Sequence, residues 1–125
     1  MTDTLRYYLA PATTLCGVIG FLIGGNAVWL GIATFPLLLL LDVVLPRDVA
    51  PRRGVVPFLA DLALYLHVVL IVALYATFAL SVKRGFNPLT GMGSASQIVG
   101  SLLSLSWLSA VPNLPVAHEL MHRRH

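Results

Sequence analysis

The feature that most constrains the fold of this chain is the grouping of its apolar residues into long segments with few charges. Four such segments cover residues 9–25, 27–45, 58–82 and 98–117. A transmembrane helix needs roughly 20 consecutive apolar residues, and inside a bilayer it satisfies its own backbone hydrogen bonds. The segments therefore predict an all-helical integral membrane protein with about four transmembrane helices. The composition agrees, since 58% of the residues are hydrophobic and 10% are charged, whereas charged residues make up roughly a quarter of a soluble domain.

The connections between the segments have the chemistry of turns and surface loops. Gly24-Gly25-Asn26 separates the first two segments, which predicts a helical hairpin. Pro36 can kink the second arm of that hairpin. The stretch from Pro46 to Pro57 is the most polar connection, and the stretch from Lys83 to Ser96 begins with helix-stop residues. Both stretches are predicted to be surface loops.

The fourth segment ends in two prolines that predict a break in its helix. Pro112 and Pro115 bracket Asn113, so the helix is expected to stop there and a new helical turn to begin near Pro115. Asn113 is expected to hydrogen-bond a carbonyl that the break leaves free. Four serines earlier in the segment suit close packing between helices: Ser101, Ser104, Ser106 and Ser109.

The basic residues act as topology signals. A net charge of +3 could indicate nucleic-acid binding, but the basic residues are scattered at the ends of apolar segments, so no nucleic-acid partner is expected. With four spans, the side that receives both termini carries six arginines and the other side carries only Lys83 and Arg84. The six are Arg6, Arg47, Arg52, Arg53, Arg123 and Arg124. The positive-inside rule then places both ends in the cytoplasm, most simply across a bacterial inner membrane.

The residues best suited to chemistry lie at the end of the chain, in His118-Glu119-Leu120-Met121-His122. On a helix, His118 and His122 lie one turn apart on the same face, roughly 6 Å between side-chain origins, so both imidazoles can reach one metal ion. His-Glu-x-x-His is also a metal-site motif with a known mechanism, in which the glutamate acts as a base. The structural alternative is that these histidines, followed by arginines, merely flank a membrane span.

Two residues inside the third segment are also candidates, because ionisable groups within a bilayer are costly. Asp61 lies near the start of its helix, where a capping role is expected; the functional alternative is support of a metal-bound histidine. His67 is expected to be a packed polar residue between helices rather than a ligand. Cys16 is alone, lies in an apolar run and is expected to serve as a small packing residue.

At the histidine motif the sequence resembles a known family. The run from Val116 to Arg124, after a serine-containing apolar span, resembles the first histidine box of the membrane alkane hydroxylase and xylene monooxygenase group, within the fatty acid desaturase-like superfamily. Phe35-Pro36-Leu37 to Asp42, leading to Arg47-Asp48, is similar to the end of the second span in those enzymes. His67 is placed like a histidine seen there. The resemblance covers nearly the whole chain, and its specific part is the box.

The resemblance implies a non-haem di-iron site on the cytoplasmic side of a helical bundle. Such a site activates dioxygen and inserts one oxygen atom into a C–H bond of a hydrophobic substrate, such as an alkane, an alkyl-aromatic or a fatty-acyl chain. A rubredoxin or a ferredoxin-type donor supplies the electrons. By this resemblance His118 and His122 are iron ligands and Glu119 is the acid beside them, which orients a ligand or balances charge. His125 has no counterpart expected to be a ligand.

The sequence also departs from that pattern. Alkane hydroxylases usually have Gly before the second histidine of the box and Lys after it, where this chain has Met121 and Arg123. Linear alkanes are therefore less favoured as substrates, and aromatic-methyl, terpene and fatty-acyl substrates stay open. The resemblance also implies later histidine boxes that complete eight or nine ligands, and the four histidines of this chain cannot build that site. The chain is therefore expected to be an amino-terminal fragment that does not catalyse alone.

Two other functions fit part of the sequence. An intramembrane zinc protease would use His118 and His122 as ligands and Glu119 as general base. Such proteases usually continue the motif with small apolar residues, and Arg123-Arg124-His125 is a poor continuation. The second alternative is a non-catalytic membrane bundle, for which the apolar composition alone is sufficient support.

The predicted topology can be tested with a fusion. A reporter placed after Val82 should report a position outside the cytoplasm, because the third segment crosses outward in the four-span arrangement. Reporters that distinguish the two sides of the inner membrane, such as alkaline phosphatase and a fluorescent protein, make the measurement. A cytoplasmic signal at this position would contradict the four-span arrangement.

Overall fold

The computed structural model describes residues 6–44 and 56–122, and for Arg6, Pro115, His118, Glu119, Leu120 and His122 it describes the backbone alone. Five α-helices make up these ranges: α1 (Leu9–Ile23), α2 (Leu30–Val44), α3 (Pro57–Lys83), α4 (Ala95–Ala110) and α5 (Asn113–His122). Short 3-10 helices, Arg6–Tyr8 and Gly25–Trp29, lead into α1 and α2. The predicted all-helical fold is confirmed. Most of the loop predicted from Pro46 to Pro57, together with Arg123, Arg124 and His125, lies outside the described residues.

Two helical stretches in the described ranges are long and apolar enough to cross a membrane, Gly25–Val44 with 20 residues and α3 with 27 residues. α1 is apolar but has only 15 residues, and α4 has 16. At a rise of about 1.5 Å per residue, these two helices are shorter than a hydrocarbon core of roughly 30 Å. The membrane-protein class agrees with the prediction, and the number of crossings stays a prediction.

The helices run up and down, with their connections at two opposite ends. At one end the turn between α1 and α2 meets the segment between α3 and α4, where Gly25 N–H donates to the Phe86 carbonyl at 2.8 Å. Gly24 and Gly25 have φ of +72° and +58°, a conformation that glycine adopts at little cost. At the other end the Tyr8 hydroxyl donates to the Leu59 carbonyl at 3.0 Å. The hairpin predicted from Gly24-Gly25-Asn26 is confirmed.

Close approach between helices depends on small residues. α1 packs most extensively on α3, and α2 packs on α4. Gly17 lies where an added Cβ would be 2.9 Å from Leu74 and closer still to Leu108, both fully buried. Phe21 and Phe78 meet edge to face, with 5.4 Å between ring centroids. The core is therefore a narrow seam between helices, whereas many large apolar side chains face outward.

A serine hydroxyl from α4 is inserted where the 3-10 helix joins α2. Ser104 Oγ donates to the Val28 carbonyl at 2.6 Å and accepts from Ile32 N–H at 3.0 Å. These two backbone groups would bond each other in a regular α-helix. Ser101 and Ser104 are fully buried, as expected for serines that support close packing. Pro36 lies inside α2, which continues to Val44.

Gly31 makes room for that insertion, since a Cβ at this position would lie 2.7 Å from Ser104 Cβ and 2.9 Å from its hydroxyl. We expect Gly31→Val to destabilise the bundle by about 1–3 kcal/mol, the usual cost of overpacking. Reversible unfolding in mixed detergent micelles measures this free energy. Ala33→Val introduces the same side chain at an exposed position of α2 and should change stability by less than about 0.5 kcal/mol. Equal effects of the two substitutions would contradict the close-approach interpretation.

Candidate functional site

The histidine motif lies on its own short helix, α5. α4 ends at Ala110, Val111 and Pro112 form a turn, and α5 begins at Asn113. The break predicted from the two prolines is confirmed, although the new helix begins at Asn113, two residues before Pro115. Pro115 lies in the first turn of α5, where backbone N–H groups have no partner within the helix, so its missing N–H costs little.

α5 places His118 and His122 four residues apart in one continuous helix, with Glu119 between them. This spacing is the helical one on which the predicted metal site depends. Among the residues that the structure describes, no group of three or more His, Cys, Asp or Glu side chains is placed to hold a metal ion. The metal site at His118 and His122 stays a prediction.

One side of α5 rests on the bundle. The helix contacts α3 and α4, and Val116 is buried. Leu114 and Met121 are 73% and 76% exposed. Apolar burial through Val116 holds α5 on the bundle, but apolar contact is non-directional and does not by itself fix the rotation of a helix.

His67 on α3 is the most deeply buried ionisable residue in the described ranges, with no exposed surface. Its Nδ1 lies 3.5 Å from Thr14 Oγ1 on α1. The Ala10 carbonyl and the Asn113 carboxamide also interact with the imidazole. His67 is therefore a packed polar residue between helices, as expected, and it joins α1, α3 and the first residue of α5.

The polar contacts of His67 leave one ring nitrogen without a described partner. Thr14 donates its hydroxyl proton to the Ala10 carbonyl at 3.0 Å, and which of Thr14 Oγ1 and His67 Nδ1 donates to the other depends on the tautomer of the ring. Among the atoms that the structure describes, Nε2 has no hydrogen-bond partner.

Asp61 does not cap α3, so that expectation is wrong. α3 begins at Pro57 with Val56 as its N-cap, no side chain caps it, and no acidic residue lies in its first turn. Asp61 lies beyond the N–H groups that a cap would satisfy. Its support of a metal-bound histidine stays a prediction.

Contacts of Trp107 and His67 with other helices were not predicted from the sequence. Trp107 Nε1–H donates to Thr34 Oγ1 at 2.9 Å, and its ring meets Phe35 edge to face at 4.9 Å between centroids. Thr14 was not singled out, and Asn113 was expected to bond a free carbonyl rather than to interact with His67. The sequence feature that could have indicated Thr14 and Thr34 is a hydroxyl inside an otherwise apolar segment.

Comparison with known proteins gives one informative relative. The chain is 54% identical over 123 residues to the xylene/toluene monooxygenase hydroxylase component XylM of Pseudomonas putida. The match covers 98% of this chain and 32% of the relative, so the chain spans about a third of the relative's length. It includes all five helices and the histidine motif. No protein-family model matches the chain, and no solved structure matches it significantly. The resemblance inferred from the histidine box is confirmed.

Proposed function

We propose that this chain forms the part of a membrane-bound non-haem di-iron monooxygenase that supplies two iron ligands, His118 and His122. The observation that carries the proposal is the 54% identity to a monooxygenase hydroxylase component across the whole bundle and the motif. The spacing of the two histidines on α5 supports it. Imidazole nitrogens suit iron, so these residues fit part of a di-iron site that is completed by ligands outside this sequence.

The proposed substrate is a hydrophobic molecule, and within that class an alkyl-aromatic compound is favoured over an alkane or a fatty-acyl chain. The relative is a xylene and toluene monooxygenase component by name, and the departures from the alkane hydroxylase pattern at Met121 and Arg123 count against linear alkanes. Monooxygenation consumes one dioxygen, two electrons and two protons, and it yields the alcohol and one water. The reaction therefore needs an electron donor, proposed to be a rubredoxin or a ferredoxin-type protein.

Each motif residue has a separate proposed role. His118 and His122 hold iron, which when bound activates dioxygen for insertion into a C–H bond. Glu119 orients a ligand by accepting a hydrogen bond or balances the charge of the site.

The bundle and the motif are proposed to lie in a bacterial inner membrane with both ends cytoplasmic, where a soluble electron donor can reach the site. The zinc-protease alternative gains nothing from the comparison.

A chimera tests the ligand assignment. When this chain replaces its aligned third of the Pseudomonas putida relative, we expect iron binding and xylene hydroxylation to be retained. His118→Ala and His122→Ala should each lower hydroxylation by at least about a hundredfold and reduce bound iron, because a lost ligand weakens the site more than a lost supporting contact. Iron analysis and product chromatography measure the two effects.

The control for this experiment is Leu114→Met, at a position on the same helix that is 73% exposed, which should leave activity within about twofold. A folded chimera that binds no iron and hydroxylates nothing would contradict the proposal and favour a non-catalytic bundle. Bound zinc with peptide hydrolysis would favour the protease instead.

Glu119→Gln separates an orienting role from a ligand role. We expect the chimera with this substitution to keep its iron and to hydroxylate about ten to a hundred times more slowly, the usual cost of losing a supporting hydrogen-bond partner. The ratio of iron to protein and the turnover number are the two readouts. Loss of iron equal to that in His118→Ala would show that Glu119 is itself a ligand.

A further inference from the structure

The short helix α5 has two sides with different surroundings. Asn113, Val116 and Ala117 lie on one side, at the i, i+3 and i+4 spacing of a helical face, and each of them is buried or half-buried. This side rests on α3 and α4. At 3.6 residues per turn, positions 118 and 122 are rotated by roughly 150–170° from the centre of this side. The proposed iron ligands therefore occupy positions that face away from the described bundle.

Met121 borders the side of α5 that carries the histidine positions. It lies three residues after His118 and directly before His122, and it is 76% exposed. Residues three apart on a helix have their Cβ atoms about 5–6 Å from each other. Helical side chains also lean toward the N-terminus, so a side chain at position 121 covers the turn that contains position 118. Met121 is therefore an apolar neighbour of any metal that the two histidines bind.

Leu114 shows that exposure alone does not place a residue of α5 beside the histidine positions. Its side chain is 73% exposed, and its direction around the helix differs from that of Met121 by only about 20°. It lies about 10 Å further along the helix axis, however, and a side chain there leans toward the end of α4, away from the motif. The two residues therefore share their polarity and exposure but differ in their distance from the proposed site.

The side chain of Met121 suits contact with an aromatic ring. A thioether is soft and polarizable, and its sulfur interacts favourably with a ring at about 5 Å, which is worth roughly two- to tenfold in an equilibrium constant. The alkyl-aromatic substrate of the proposed function has such a ring, whereas a saturated hydrocarbon has none. Because most of its surface is exposed, Met121 is not needed for packing within the described bundle, and its side chain is free to contact a substrate.

We propose that Met121 is a specificity-determining residue whose thioether contacts the aromatic ring of the substrate. The inference rests on the proposed function and adds to it the residue that distinguishes an aromatic ring from a saturated one. Two observations carry it: Met121 lies one helical turn from His118 on the side that faces away from the bundle, and it is 76% exposed.

Methyl NMR of the chimera with the Pseudomonas putida relative tests the contact without turnover. The methionine methyl groups are labelled with ¹³C, and zinc replaces iron because it has no redox chemistry and is diamagnetic. Toluene should shift the Met121 methyl resonance through its ring current, whereas methylcyclohexane, the saturated counterpart, should not. The resonance that disappears in Met121→Leu identifies this methyl group. Met92, which is 81% exposed in the connection between α3 and α4, is the internal control and should not shift.

Substrate preference in the iron-loaded chimera tests the discrimination. Met121→Leu keeps an apolar side chain of similar size and removes the sulfur, so kcat/KM for toluene should fall about two- to tenfold with bound iron unchanged. The specificity constant for methylcyclohexane, measured by its competition with toluene, should stay within about twofold. Leu114→Met is the matched control, because it makes the reverse exchange at a similarly exposed position, and it should leave both constants within about twofold.

The outcomes separate this inference from the proposed function. If the parent chimera hydroxylates toluene but the Met121 methyl resonance does not shift, the contact is wrong and the proposed function stands. A shift with equal constants in Met121→Leu and the parent would overturn the specificity role. A lower constant for toluene without a shift would show that Met121 acts through the packing of α5, which also overturns the inference. A parent chimera that binds no iron and hydroxylates nothing would contradict the proposed function, and the specificity role with it.

Discussion

The hydrogen bond network of Ser104 is the interaction on which the arrangement of the bundle most depends. Its hydroxyl bridges the Val28 carbonyl and Ile32 N–H, so α4 takes part in the backbone hydrogen bonding of the neighbouring hairpin arm. In a bilayer, helices gain little from apolar contact with each other, because lipid is equally apolar. Association then depends on close packing and on hydrogen bonds between helices, and this residue provides both. Gly31 lies opposite Ser104, and because glycine has no side chain, α2 and α4 can come close enough to form these bonds.

The same reasoning explains why the polar side chains of this apolar chain lie between helices. Thr34 accepts from Trp107, and Thr14 meets His67, each pair joining two different helices. Meanwhile the outward positions carry large apolar side chains, such as Val43 at 82% and Phe58 at 73% exposed. A soluble domain has the opposite distribution. The pattern is that of a bundle whose outer surface faces lipid or further apolar helices.

The sequence predicted those features that depend on local chemistry. Gly24-Gly25-Asn26 indicated the hairpin because glycine adopts positive φ at little cost, and Pro112 indicated the break because proline lacks an N–H. Helix lengths were predicted less well. The apolar run at 98–117 indicated a stop near Pro112, but it did not indicate that α4 begins at Ala95, three residues before the run. The insertion of Ser104 and the contact between His67 and Asn113 depend on residues far apart in sequence. Asp61 was expected to cap because the segment was predicted to begin at residue 58, whereas α3 begins at Pro57 and Asp61 lies beyond its first turn.

The break between α4 and α5 separates the packing of α4 in the bundle from the direction of the helix that carries the histidine motif. A continuous helix through residues 98–117 would carry the motif along the axis of α4, and the position of His118 would then depend only on how α4 packs. With the break at Pro112, α5 can take its own direction, and its orientation then depends on how it packs on α3 and α4. Among the side chains of α5 that the structure describes, Val116 is the buried apolar one, and apolar contact is non-directional. α5 also contacts α3, a 27-residue helix packed against α1 and therefore a rigid reference for a site at the end of the bundle.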